Sequence, residues 1–181
     1  VSRCKRVICL ARLGQLEEAH EAVRQLTEDF ADDAETWSLA GRVEKERWLA
    51  RWRTPGLEPA QLREAAANEL ASLQDAIDPY HQAFVTDPAA HYPGINSLTL
   101  HMVLKDLGGD VSATVVNNLA GGVLWAALSQ QKRQPRDYWA RATYAELCLL
   151  LNPKDAVMRE YRAAVAAANR DWFALDSTRQ T

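Results

Sequence analysis

The stretch LGQLEEAHEAVRQLTEDFADDAETWSLAG, residues 13–41, decides the fold, because its spacing of residues returns further along the chain. One helix is expected to end at Leu13, turn through Gly14 and give way to a second helix near Leu16. The bulky or apolar residues at offsets of 4, 7, 12 and 18 from Ala19 are Val23, Leu26, Ala31 and Trp37. A small residue lets two helices approach, and a bulky residue one turn later fills the next groove. The stretch therefore predicts a pair of antiparallel helices followed by the start of another pair.

The same spacing recurs around Ala76. At the offsets used above, Ala76 is followed by Tyr80, Ala83, Pro88 and Gly94. Ala76 lies 57 residues after Ala19, which is one tetratricopeptide-repeat (TPR) period of about 34 residues plus an insertion of about 23 residues. The spacing thus favours a TPR array. The alternative is a generic alanine-rich bundle, which matches some repeat positions by chance.

We predict an all-α fold, a tetratricopeptide-repeat-like α-solenoid of about four helix pairs plus a trailing helix. The pairs are expected at residues 2–31, 34–88, 92–131 and 137–169, with residues 171–181 as the start of the next helix. The whole chain, 1–181, is expected to form this single array. Since the chain starts without Met and stops within an expected helix, we also expect it to be a fragment of a larger protein.

A helical insertion is expected at about residues 49–75. Thr54-Pro55-Gly56 can end a helix, and Glu58-Pro59-Ala60 can start another with proline in its first turn. The apolar residues that then share one helical face are Leu62, Ala66, Leu70 and Leu73. Asp78-Pro79 can start a further helix, or one long helix can be kinked at Pro79. The restart is the favoured interpretation.

Composition excludes several classes of function. The net charge is −3 and 48% of the residues are apolar, so no bulk positive charge favours nucleic acid. No apolar run approaches the roughly 20 residues that a membrane span needs. The cysteines are Cys4, Cys9 and Cys148, an odd number without a CxxC motif. A reduced, cytoplasmic chain is the simplest interpretation.

A concave groove lined by the first helix of each pair is the expected binding surface. The candidate partner-binding residues are Arg42, Lys45, Tyr92, Thr99 and Tyr144. Arg42 and Lys45 can hold a carboxylate of a partner through charge-assisted bonds, or they can pair with Glu35 or Glu46 instead. Further groove positions are expected at Ile95, Ala140, Leu147 and Cys148, which would make the far end apolar. That end can grip a hydrophobic peptide helix, or the insertion can cover it.

The remaining motifs favour structural roles. Trp48 and Trp52 share a helix face within a basic segment, and packing is favoured over nucleic-acid or membrane binding. The four histidines are scattered and form no HExxH motif, so we expect no metal. Gly108-Gly109 indicates a turn, whereas Gly121-Gly122 lies in a helical pattern and can allow a close helix contact. Neither is a phosphate loop, and no nucleophile elbow is present. We therefore expect no cofactor and no enzymatic activity.

Several strings, taken in order, resemble one known family. They are Ala40-Gly41-Arg42-Val43-Glu44-Lys45-Glu46, Ala83-Phe84 with Pro88, Tyr92-Pro93-Gly94-Ile95-Asn96 with Thr99-Leu100, Asp137-Tyr138-Trp139, and Asp171-Trp172-Phe173. The chain thereby resembles the TRAFs-binding (central regulatory) TPR domain of apoptosis signal-regulating kinases and their bacterial relatives. The likeness covers about residues 37–181, and Glu44 stands where the family pattern leads us to expect an aromatic residue. No kinase motif is present, so the resemblance implies a regulatory, partner-binding module.

These features together predict a non-catalytic protein–protein interaction scaffold, a regulatory TPR module of a signalling or defence protein. Its expected partner is a protein or peptide, with no nucleic acid and no membrane. The alternative is a structural homo-oligomerisation module in which exposed Trp-rich faces join copies of the chain. An enzyme with a noncanonical helical site is the third possibility, and no paired acid and base support it.

Overall fold

The computed structural model describes residues 2–151, 154–168 and 171–179, and this part of the chain contains helices and no strand. The all-α prediction is therefore confirmed. The helices are α1 (Arg3–Arg12), α2 (Leu16–Asp29), α3 (Ala34–Trp52), α4 (Pro59–Ala67), α5 (Leu70–Thr86), α6 (His91–Asp106), α7 (Ala113–Arg133), α8 (Tyr138–Leu151), α9 (Lys154–Ala167) and α10 (Trp172–Arg179).

The helices pack as successive pairs. The pairs are α1 with α2, α3 with α5, α6 with α7, and α8 with α9. The first helices also touch one another in sequence, α1 with α3, α3 with α6, and α6 with α8. This side-by-side row of first helices is what makes one wall of a TPR-like solenoid. The predicted pairs and the trailing helix are confirmed, and α10 packs on α8.

Local signals explain where the helices begin and turn. The carboxylate of Asp33 accepts a bond of 2.9 Å from the backbone N–H of Thr36 and caps α3. The turns that follow α1 and α6 contain Gly14 and Gly108 with φ of 74° and 95°, a conformation that favours glycine. The prediction of a turn at Gly108-Gly109 is thus confirmed.

Glycines lie where neighbouring helices approach closely. A Cβ atom added to Gly41 of α3 would lie 2.6 Å from the ring of Tyr80 on α5. A Cβ atom added to Gly94 of α6 would lie 2.8 Å from both Phe84 and Val123. Both glycines are therefore required by packing, because no other residue leaves room for these rings.

The restart predicted at Pro79 is wrong. Helix α5 runs without a break from Leu70 to Thr86 and contains Pro79 in its interior. The chain breaks earlier, at Asn68 and Glu69, which separate α4 from α5. Burial explains why α5 continues through the proline, since the single lost backbone bond is offset by a continuous apolar face. Its buried members are Leu73, Ala76, Ile77, Tyr80, Ala83 and Phe84.

The insertion closes the carboxyl-terminal ends of α3 and α6. Ala66 of α4 belongs to a buried cluster with Trp48 and Leu104, and Arg63 reaches the carboxylate of Asp106 at 3.1 Å. The rings of Trp48 and Trp52 lie 5.3 Å apart, and both pack into this cluster. The prediction that the two tryptophans serve packing is confirmed.

Candidate partner-binding groove

The row of first helices leaves a cavity of about 440 Å³ between α1, α3 and the start of α6. Its lining is Cys4, Ile8, Ala34, Glu35, Ser38, Leu39, Arg42, Asp87, Ala90, Tyr92 and Pro93. The lining is mainly apolar, and the charged side chains among it are Glu35, Arg42 and Asp87. This volume suits one amino-acid side chain or a short peptide segment better than a whole helix.

Arg42 and Tyr92, two of the five predicted site residues, line this cavity together. The Nε atom of Arg42 donates to Glu46 at 3.0 Å, and within the described residues its two terminal nitrogens make no hydrogen bond. Tyr92 is 42% exposed, and its ring meets that of Tyr80 edge-on at 6.0 Å. The cavity therefore presents a half-buried guanidinium beside an accessible aromatic ring.

Lys45 lies deeper and is bound within the chain. Its Nζ atom donates to the Oδ1 atom of Asn96 at 2.9 Å and lies 5.8 Å from the centre of the Tyr80 ring. The side-chain N–H of Asn96 donates to the carbonyl of Tyr92 at 2.9 Å. Burial lowers the pKa of Lys45, and the charge of Glu146 partly opposes this effect. Lys45 and Asn96 thus join α3 to α6 with a bond that sequence spacing does not reveal.

Thr99 is also bound within the chain, to the first helix of the next pair. Its hydroxyl donates to the Oε1 atom of Glu146 at 2.8 Å, and His91 of α6 contacts the hydroxyl of Thr143 at 2.9 Å. Burial raises the pKa of Glu146, while Thr99 and the charge of Lys45 lower it less. Polar bonds therefore hold α3, α6 and α8 in one arrangement, which preorganises the groove.

Burial disfavours the anionic form of the Glu146 carboxyl group. We therefore expect Glu146→Gln to stabilise the protein at pH 7. The glutamine oxygen still accepts from Thr99, and the variant places no carboxylate at this buried position. A folded-state pKa above the unfolded value means that wild-type stability falls as pH rises from the usual carboxyl range through the folded pKa. Urea unfolding at pH 5, 6 and 7 should show the advantage of the variant shrinking as pH falls.

The control for this effect is Glu64→Gln, which changes an exposed carboxylate on α4. It should show no comparable pH-dependent gain. An advantage of Glu146→Gln that is the same at pH 5 and pH 7 would contradict the assignment.

The predicted apolar end of the groove is wrong. Ile95, Leu147 and Cys148 are almost fully buried and Ala140 is completely buried, since they pack between helices instead of facing the open side. Tyr144 is half-buried on α8, and burial, followed by the neighbouring Cys148, raises its pKa.

Sequence reasoning missed a charged network on the opposite side of α3. Glu44 is buried and accepts from Arg47 at 2.7 Å, while His20 also contacts Glu44. Arg47 in turn binds both carboxylate oxygens of Glu17 at 3.0 Å. Glu44 stands where an aromatic residue was expected, and its i,i+3 spacing to Arg47 was the available signal.

The comparisons with known proteins agree with this architecture. The family described as Tetratricopeptide Repeats-Sensor matches residues 2–101, which is more than half of the chain, and the chain belongs to that family. No curated protein matches it.

The described residues, 2–151, 154–168 and 171–179, contain neither a membrane-spanning helix nor a metal cluster. No helix in this part of the chain is long and apolar enough to cross a membrane. Within the same residues, no three His, Cys, Asp or Glu side chains come together as a metal site would require.

Proposed function

We propose that this chain is a non-catalytic, regulatory protein-binding module of a signalling or defence protein, which holds a segment of its partner in the groove between α1, α3 and α6. The observation that carries the proposal is the cavity that Arg42 and Tyr92 line together. A ligand can reach both side chains, and the helices around them are fixed by bonds within the chain.

The chemistry of the groove favours one kind of ligand. An apolar side chain of the partner would enter the cavity beside Leu39 and Pro93, and a carboxylate next to it would bind the free nitrogens of Arg42. Glu35 and Asp87 also line the cavity and would repel further acidic groups. The preferred segment therefore carries an apolar side chain beside a single carboxylate, which can be the carboxyl terminus of a chain.

The five predicted site residues have different tasks in this proposal. Arg42 and Tyr92 contact the partner. Lys45 and Thr99 position the helices beneath them through Asn96 and Glu146. Tyr144 lies one helix further along the row and would contact only a longer partner segment.

The resemblance to the TRAFs-binding domain of apoptosis signal-regulating kinases supports the regulatory part of the proposal. The distinctive string at residues 92–96 builds the groove itself, because Tyr92 lines it, Gly94 permits the packing of α6, and Asn96 binds Lys45. We place the module in the cytoplasm, which the unpaired Cys4, Cys9 and Cys148 support. The proposal needs no cofactor.

The test is selection of linear peptides from a random displayed library on the whole chain, followed by affinity measurement with synthetic peptides. We expect enriched peptides that combine one acidic group with an adjacent large apolar residue. Arg42→Glu and Tyr92→Ala should each weaken these peptides about tenfold or more, since Arg and Tyr dominate many interfaces.

The matched control is Arg162→Glu on α9, an exposed arginine away from the cavity. It makes the same charge change and should leave the affinity unchanged. Circular dichroism spectra of all three variants should match that of the wild type, which checks that they remain folded. Failure to enrich any peptide, or peptides that bind equally well to Arg42→Glu, would reject the groove as the binding surface.

A further inference from the structure

Helix α7 carries an exposed apolar face that no other helix of the described chain covers. Its central members are Gly121, Leu124, Trp125 and Leu128, and all four are exposed. Their spacing of three and four residues places them on one side of the helix. Trp125 is 77% exposed, the largest value among the exposed large apolar residues of the described chain. An apolar strip of this kind on a helix marks a contact surface.

Gly121 leaves open space on this face that packing within the described chain does not use. The two adjacent glycines differ: a Cβ atom added to Gly122 would lie 3.0 Å from Phe84, whereas one added to Gly121 would meet nothing within 4 Å. Packing within the chain therefore explains Gly122 and does not explain Gly121. Glycine in a helix interior costs about 1 kcal/mol relative to alanine, and the bare position leaves a shallow depression one turn before Trp125.

We propose that α7 is a homodimerisation surface, on which two copies of this chain pack their α7 helices antiparallel. In this arrangement Trp125 of each copy fills the depression at Gly121 of the other, and the two-fold axis passes between these residues. Leu128 of one copy then lies beside Asn118 of the other. The depression and the side chain that fills it lie four residues apart on the same helix, so the face is complementary to itself, as a two-fold interface must be.

The distribution of charge selects the antiparallel orientation. Helix α7 contains no acidic residue, and its only basic residues, Lys132 and Arg133, are in its last turn. Asp110 precedes the helix and makes no ion pair within the described residues. Antiparallel packing brings Lys132 of one copy near Asp110 of the other, whereas parallel packing brings like charges together. The opposed helix dipoles favour the same orientation.

The size of the face indicates a weak but specific dimer. The 21 residues of α7 span about 31 Å, and one helix pair buries an area near the lower limit of about 1,000 Å² for specific interfaces. Sedimentation of the whole chain from about 1 to about 100 μM covers the range in which such complexes dissociate. We expect the mass to rise from that of one chain to that of two.

Two substitutions on exposed positions test the surface without disturbing the core. Trp125→Ala and Gly121→Leu should each shift dimerisation to at least tenfold higher concentration. The control is Trp172→Ala, which removes a tryptophan that is 75% exposed on α10 and should change nothing. A wild-type chain that remains monomeric throughout, or a dimer that Trp125→Ala leaves intact, overturns the proposal.

Disulfide trapping tests the orientation. In a chain with Cys4→Ser and Cys9→Ser, Asn118→Cys and Leu128→Cys variants are mixed and oxidised. We expect mixed disulfides between the two variants to exceed those within either one, since antiparallel packing places position 118 beside position 128. An excess of disulfides within each variant would overturn the antiparallel arrangement. Peptide binding is measured on the same variants. Because α7 lies outside the groove, a loss of dimerisation should leave peptide affinity unchanged, and the two proposals can therefore fail independently.

Discussion

Gly41→Ala and Gly94→Ala will destabilise the protein, although alanine normally stabilises a helix relative to glycine. The propensity gain of about 1 kcal/mol is outweighed because the added methyl group would lie 2.6 Å from Tyr80 at position 41 and 2.8 Å from Phe84 at position 94. Overpacking of this kind costs about 1–3 kcal/mol, occasionally more, and three close atoms at each site place these variants at the upper end. Urea unfolding gives the free energies directly.

The matched control is Gly121→Ala, which adds the same methyl group to a helical glycine with open space around it. Measured at low protein concentration, where the chain is monomeric, this variant should gain stability by roughly 1 kcal/mol. The sign of the change thus separates glycines that are required by packing from one that is not. If all three variants became more stable, the close approach of α3 to α5 and of α6 to its neighbours would be wrong.

Ala76→Trp and Ala83→Trp will also strongly lower the stability of the protein. Both alanines are completely buried on α5, which packs against α3 and α6, and an indole ring cannot be placed there unless the helices move apart. We expect each variant to lose at least the roughly 1–3 kcal/mol typical of overpacking and to melt well below the wild type in a thermal scan.

Ala71→Trp is the control for this pair, since Ala71 is exposed on the same helix α5. It makes the same substitution and should change the stability by no more than about 0.5 kcal/mol. Variants at positions 76 and 83 that melted with this control would show that the repeat register assigned to α5 is wrong.

Most of the fold could be predicted because the spacing of small and bulky residues in a repeat indicates which positions pack between helices. The offsets from Ala19 and Ala76 placed small and bulky residues correctly along α2 and α5, and the helix pairs followed from them. The path through Pro79 could not be predicted in this way. Local propensity favours a break at a proline, and only the burial of Ile77 and Tyr80 on either side shows why the helix continues.

Less of the candidate site could be predicted. Helical spacing proposed Arg42 and Lys45 for the same face, and it could not distinguish a side chain that stays open from one that is bound within the chain. Lys45 is held by Asn96, which lies 51 residues away, and no local pattern reports such a pairing. Ile95 and Leu147 were expected on the groove and are buried, because the first helices pack more closely than spacing alone indicates.

The sequence by itself determined the class of fold, the helix pairs and the small residues Ala19 and Ala76 at helix contacts, since these depend on periodicity and on residue size. The tertiary structure alone decided which polar residues are buried, that Glu44 is paired with Arg47, and that Gly121 remains uncovered while Gly122 does not. The physical reason is that burial and pairing depend on distances between helices far apart in the chain. Residues adjacent in sequence determine the period of a helix. The contacts of each side chain are determined by the residues that lie beside it in the folded protein.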